Sequence, residues 1–202
     1  MIRSSHLGQL ALGLLVAFAG SAKLQAVDLI FTAQQVGADV VTSASGFVNT
    51  SALTIAGGAN GGGRFFGSIG DGSVFQVGPS GSYDNWSGLT GSKVFGTSSQ
   101  YFANNTTGAN AGISTFGTIY LLLPVSYTSG SSISGTATYT GKTLADLGMT
   151  VGTYNWTWGS GATAGSAQLT ISAVPEPSTY ALATIATGAM AFLARRRKAR
   201  TA

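Results

Sequence analysis

The carboxylates and the one imidazole set what chemistry this chain can do. Histidine occurs once, as His6, and glutamate once, as Glu176, so Asp28, Asp39, Asp71, Asp84 and Asp146 supply every other carboxyl group. A glycosidase needs two carboxyl groups facing each other across a cleft, and only pairs among these five aspartates could provide them. A Ser-His-Asp triad or a histidine general base needs an imidazole in the folded body, and His6 lies in an N-terminal segment with the marks of removal. Cysteine is absent, which excludes disulfides, thiolate nucleophiles and cysteine-ligated zinc or iron–sulfur sites. The aspartates have simpler uses: Asp71, in Ile69-Gly70-Asp71-Gly72-Ser73, and Asp84-Asn85 both read as turn residues. Without a spaced Asp-x-Asp-x-Asp set there is no calcium loop, and the expectation is no cofactor, no metal and no enzyme.

Two other patterns invite functional readings. Gly57-Gly58-Ala59-Asn60-Gly61-Gly62-Gly63-Arg64 is glycine-rich but lacks the Gly-Lys-Ser/Thr ending of a phosphate loop, and reads as a flexible loop. Tyr154, Trp156 and Trp158 alternate with Asn155 and Thr157, so the three aromatic rings share one face of one strand. That face is either core or a sugar-stacking platform, and Trp86 beside Tyr83 poses the same choice; Trp86, Trp156 and Trp158 are the candidate sugar-binding rings. Thr136, Thr138 and Thr140 also share a face, but one row on one strand is too small to match a glycan or ice surface. Asn49, Asn85, Asn104, Asn105 and Asn155 begin Asn-x-Ser/Thr triplets, as expected by chance in a chain this rich in Ser and Thr.

The formal net charge of +4 suggests a polyanion partner until the charges are located. Arg195, Arg196, Arg197, Lys198 and Arg200 sit at the C-terminus, and Arg3 and Lys23 near the N-terminus. Between residues 27 and 174, Arg64, Lys93 and Lys142 face the five aspartates, so the body is mildly acidic and no nucleic-acid partner is expected.

The elements that must position these residues are strands. Thirty glycines, 8% charged residues and 10% aromatics describe short strands joined by small-residue turns rather than disorder. Alternating apolar runs predict strands over 28–32, 39–48, 52–55, 64–69, 73–77, 99–102, 117–127, 133–139, 152–158 and 167–172. Ile119 to Leu123 is continuously apolar and predicts a central strand buried on both faces. Leu144 to Leu147 is the one helical turn, capped by Thr143 and ended by Gly148. The fold class is all-β, a β-sandwich or jelly-roll-like body over 27–173, with a signal helix before it and one short transmembrane helix after it.

The ends carry processing signals. Residues 1–26 read as a signal peptide: Arg3, an apolar stretch from Leu7 to Gly20, and small residues that place cleavage after Ala26, with Ala22 as the competing position. That implies passage through the Sec translocon and a cut by signal peptidase. Residues 174–202 run Val174-Pro175-Glu176-Pro177-Ser178, an apolar stretch from Tyr180 to Ala194, then Arg195-Arg196-Arg197-Lys198. The prolines end the last strand, the apolar stretch is long enough for a short untilted membrane helix, and the basic cluster resists translocation.

This tail resembles the PEP-CTERM sorting signal of Gram-negative bacteria, also known as the ice-binding protein C-terminal domain. The resemblance implies that Pro175, Glu176 and Pro177 are recognised by an exosortase in the inner membrane and that Arg195, Arg196, Arg197 and Lys198 form the stop signal. It further implies a transient inner-membrane anchor, then the cell surface or the extracellular matrix, with exopolysaccharide as a candidate partner. The segment from Leu121 to Ile171 is similar, more loosely, to the terminal half of many secreted proteins with this tail, which implies a shared β-fold and no activity.

Overall fold

The computed structural model describes residues 28–67, 72–97 and 100–173. Its strands are β1 (Leu29–Val36), β2 (Asp39–Phe47), β3 (Thr54–Gly61), β4 (Arg64–Phe66), β5 (Val74–Val77), β6 (Gly81–Ser87) and β7 (Thr90–Gly91). They continue with β8 (Gln100–Phe102), β9 (Asn105–Gly108), β10 (Ala111–Ser114), β11 (Tyr120–Pro124), β12 (Ser132–Tyr139), β13 (Gly152–Trp158) and β14 (Gly165–Ser172). Among the described residues the only helix is a 3-10 turn at Gly161–Thr163, and no helix is long and apolar enough to cross a membrane. The expected signal helix and C-terminal transmembrane helix fall outside the described residues.

The strands form two seven-stranded sheets. Sheet I has the order β7-β13-β14-β1-β2-β12-β9, and sheet II the order β3-β6-β11-β10-β5-β4-β8. Their inner faces share one core, in which Leu29, Phe31 and Leu169 of sheet I meet Phe75, Ile113 and Leu121 of sheet II. Phe31 and Phe75 touch edge to face across the gap, 5.6 Å between ring centres. This is a sandwich, but seven strands per sheet and a parallel β1–β14 pair distinguish it from an eight-stranded jelly roll. The predicted central strand is β11, flanked by β6 and β10. Leu121 and Leu123 point into the shared core, whereas Leu122 packs with Val74 and Tyr83 on the opposite face of sheet II.

Two local expectations are corrected. The glycine-rich stretch is not simply a loop, because β3 runs through Gly61 and pairs with β6 from Thr54↔Ser87 to Gly61↔Gly81. The register shifts between Ile55 and Gly58, and Gly57 there has φ +127, a conformation that only glycine adopts readily. Asp84 and Asn85 likewise lie inside a strand, β6, held between β3 and β11. Low intrinsic strand propensity hides both segments, and ladder pairing with neighbours distant in sequence overrides it. β7, β9 and β10 escape the sequence pattern for the same reason.

The capped turn expected at Leu144 forms, but as a hydrogen-bonded turn rather than a helix, and the one helical turn among the described residues lies at Gly161–Thr163, where none was expected. The Asp146 amide donates to Thr143 Oγ1 at 3.0 Å, and the Thr143 amide donates to Asp146 Oδ2 at 2.8 Å. The Thr143 backbone amide first, and the Thr143 hydroxyl second, lower the Asp146 carboxyl from its ordinary value. Met149 N donates to Leu144 O and Gly148 N to Ala145 O, the paired bonds of a Schellman ending, with Gly148 at φ +62.

Burial raises the phenol of Tyr139 well above its ordinary value of 10.0, and raises Tyr127 and Tyr154 less. A phenol raised in the folded state ionises first in the unfolded chain. The stability it confers is therefore complete below pH 10.0 and is lost as the pH climbs from there toward the folded-state value. Urea melts between about pH 9 and about pH 11 should show stability falling by up to about 1.4 kcal/mol per pH unit from Tyr139 alone. Tyr139→Phe should flatten most of that fall, and an unchanged slope in the variant would contradict the assignment.

Candidate functional site

The strand before the sorting tail is β14, and its place in the sheet decides how the tail is presented. Gly165, Ala167, Leu169 and Ile171 alternate inward and are buried, so β14 is fixed by its apolar face. It pairs antiparallel with β13 and parallel with β1, in the interior of sheet I. Leu29 lies opposite Ala167 and Gln34 opposite Ser172, so residues 28 and 173 are at opposite poles, roughly 20 Å apart along the strands. The pole where β14 ends is tied together by Gln35, whose Nε2 donates to the carbonyls of Gly37, Asp39 and Lys142 and whose Oε1 accepts from Leu144 N. Pro175, three residues past Ser172, is reached by at most about 10 Å of extended chain.

Residues 173–198 match the family model for this tail. The chain carries a PEP-CTERM protein-sorting motif. A PEP-CTERM motif marks a protein that is exported and passed to an exosortase, and here it follows directly on a strand locked inside a sheet. Pro175, Glu176, Pro177 and the cluster Arg195, Arg196, Arg197 and Lys198 all fall within the matched segment, outside the described residues. Comparison with curated proteins and with solved structures gives no match.

The body upstream of the PEP-CTERM motif puts its aromatic set inside. Trp156 and Trp158 are 0% and 3% exposed, and Trp86 is 9% exposed. The Trp156 indole N–H donates to Ser92 O at 2.8 Å and that of Trp158 to Asn49 O at 2.9 Å, which satisfies the one polar group of each ring. Phe95 packs edge to face on Trp156, 5.9 Å between centres, and also touches Tyr154. The even-numbered face of β13 is therefore core, and none of the three indoles offers a face to a sugar.

The described aspartates are spent on backbone amides. Asp28 Oδ2 accepts from Ser166 N at 3.1 Å, Asp39 Oδ1 from Gly141 N at 2.8 Å and Asp84 Oδ2 from Ser126 N at 3.1 Å, while Asp146 caps the turn at Thr143. Asp39 and Asp146 both serve the connection between β12 and β13, Asp84 serves the turn after β11, and Asp28 serves an amide within β14. Asp71 lies outside the described residues, and among those described no three acidic or histidine side chains cluster as metal ligands.

One arrangement is invisible in any single strand. On the outer face of sheet I the registers place Thr153, Thr170, Thr32, Ser43, Thr136 and Thr107 in one line across β13, β14, β1, β2, β12 and β9. Thr32 and Ser43 share a hydrogen bond of 2.7 Å, and Thr107 and Thr136 one of 2.8 Å. The next line runs Asn155, Gln168, Ile30, Ser45 and Ser134, with Gln168 Nε2 donating to Asn155 Oδ1 at 2.8 Å. The threonine row read on β12 alone is thus one column of a sheet-wide array. Alternation showed only that column, because the lines across strands depend on pairings such as Thr32↔Thr170 and Ser43↔Thr136, between residues far apart in the chain.

Proposed function

We propose that this protein is a non-catalytic structural or interaction component of the cell envelope or the extracellular polysaccharide matrix of a Gram-negative-type bacterium. In this reading it is exported through the Sec translocon, trimmed by signal peptidase, anchored briefly in the inner membrane and released by an exosortase. The PEP-CTERM match at residues 173–198 carries the reading. Two further observations support it: each described aspartate already serves a backbone amide, and the strand before the motif is buried within sheet I, so tail removal leaves the body's pairing intact.

Mass spectrometry of the mature protein from its host tests this. The expected product begins at Val27 and lacks Arg195 to Arg200, and Glu176→Ala should leave the tail in place and the protein in the membrane fraction. A mature chain intact through Ala202 would overturn the proposal.

A further inference from the structure

The outer face of sheet I is nearly free of charge, in a chain that carries only 8% charged residues overall, against roughly a quarter to a third of a well-solvated surface. Here the lines through Thr32 and Ser45 consist of hydroxyls, amides and Ile30, and Asp39, at the rim, is committed to the Gly141 amide. The body's cations lie elsewhere: Arg64 is in β4 of sheet II, and Lys93 and Lys142 are in connections. Set into this face are three exposed apolar side chains, Val36 at 55%, Phe47 at 48% and Ile30 at 41%. Val36 lies at the rim opposite Asp39, while Phe47 and Ile30 point outward beside Ser132 and Ser45, their partners across the ladder.

We infer that the outer face of sheet I is a docking surface for a neutral, hydroxyl-rich polysaccharide. Neighbouring strands set hydroxyls about 4.8 Å apart in one direction, and alternate residues repeat at about 6.7 Å in the other. Each Ser or Thr hydroxyl both donates and accepts, as sugar hydroxyls do. Phe47 and Ile30 supply the apolar contact that the C–H faces of sugar rings require. Charge decides among polymers: a face without a cation gives an anionic glycan or a nucleic acid no counter-charge. A second copy of the sheet is a poor occupant, since sheets that stack do so through apolar side chains, and stacking this face would desolvate its hydroxyls. Single hydroxyl contacts are weak in water, so retention comes from many at once along a polymer.

The choice of a polysaccharide rests on the matrix reading above, but its test is separate. The full chain, purified in detergent, would be sedimented with insoluble cellulose and run through gels containing dextran. Wild type should be retained by at least one. Thr32→Lys and Thr136→Lys, in the middle of the long line, should each weaken retention about tenfold or more, while Asn60→Lys in β3 of sheet II should not. Thr136→Val, which removes the hydroxyl at nearly constant shape, should weaken it less, and near-ultraviolet circular dichroism of each variant confirms that it is folded. Wild type passing unretained, or folded Thr32→Lys and Thr136→Lys variants retained like wild type, would overturn the inference. So would modification of ice growth without glycan retention, which would assign the face to ice. A processed C-terminus with no glycan retention sinks this inference alone, and an intact C-terminus with retention sinks only the sorting proposal.

Discussion

Trp156→Ala should cost about 3–5 kcal/mol of folding stability, a large part of the roughly 5–15 kcal/mol that holds a domain of this size together. Trp156 is fully buried, packs edge to face on Phe95 and donates its indole N–H to Ser92 O. Truncation removes the ring contacts, leaves a cavity under β13 and strands the Ser92 carbonyl without that donor. With no cysteine in the chain, no covalent link between strands limits the damage. Trp156→Phe, which keeps an aromatic ring against Phe95 but still lacks the donor, should recover part of the loss. Urea denaturation followed by far-ultraviolet circular dichroism measures both. A loss below about 1 kcal/mol for Trp156→Ala would mean that the β13 rings are not core.

Gly46→Ala should be nearly as damaging, although it adds a single methyl group. Gly46 has φ +131, and a Cβ built there would sit 2.0 Å from the Asp28 carbonyl oxygen. That oxygen accepts the Phe47 amide at 2.9 Å, the bond that closes the start of β1 against the end of β2. The added methyl must push β1 away or force the strand out of its backbone conformation, and strain and overpacking each cost about 1–3 kcal/mol. Gly37→Ala is the informative comparison: Gly37 also has positive φ, +60, but nothing lies within 4 Å of a Cβ there. It should cost only the left-handed penalty of about 1–2 kcal/mol. Thermal melts of the two variants should therefore separate, with Gly46→Ala the lower, and equal midpoints would show that β1 does not approach Gly46 so closely. Ser45 and Phe47 flank this glycine and both face outward, so the close approach also sets part of the hydroxyl face.

Legibility in the sequence followed the range of the forces involved. The core strands β2, β12, β13 and β14 were readable from alternation, since period-two placement of apolar residues is local. Asp146 was readable as part of a capped turn for the same reason. β3 and β6 were not, because glycine, serine and asparagine carry little strand preference and are held there by the ladder between them and by β11. Asp84 illustrates the difference: its Gly/Ser-rich setting suggests a turn, while its carboxylate actually closes the turn at Ser126, forty-two residues later.

By itself the sequence determined the place of the PEP-CTERM motif, the concentration of basic residues at the two ends, the lack of cysteine, the confinement of histidine to His6, and the all-β class. It also established that Tyr154, Trp156 and Trp158 share one face and that Thr136 and Thr138 share another, because alternation depends only on neighbouring residues in one strand. Which of those faces is covered, and which strands lie side by side, was decided only by the tertiary structure. Packing of sheet II against sheet I turned the indole face into core, and non-local registers joined threonines from separate strands into one line. Burial and cross-strand register are set by contacts between residues far apart in the chain, and no local pattern records them.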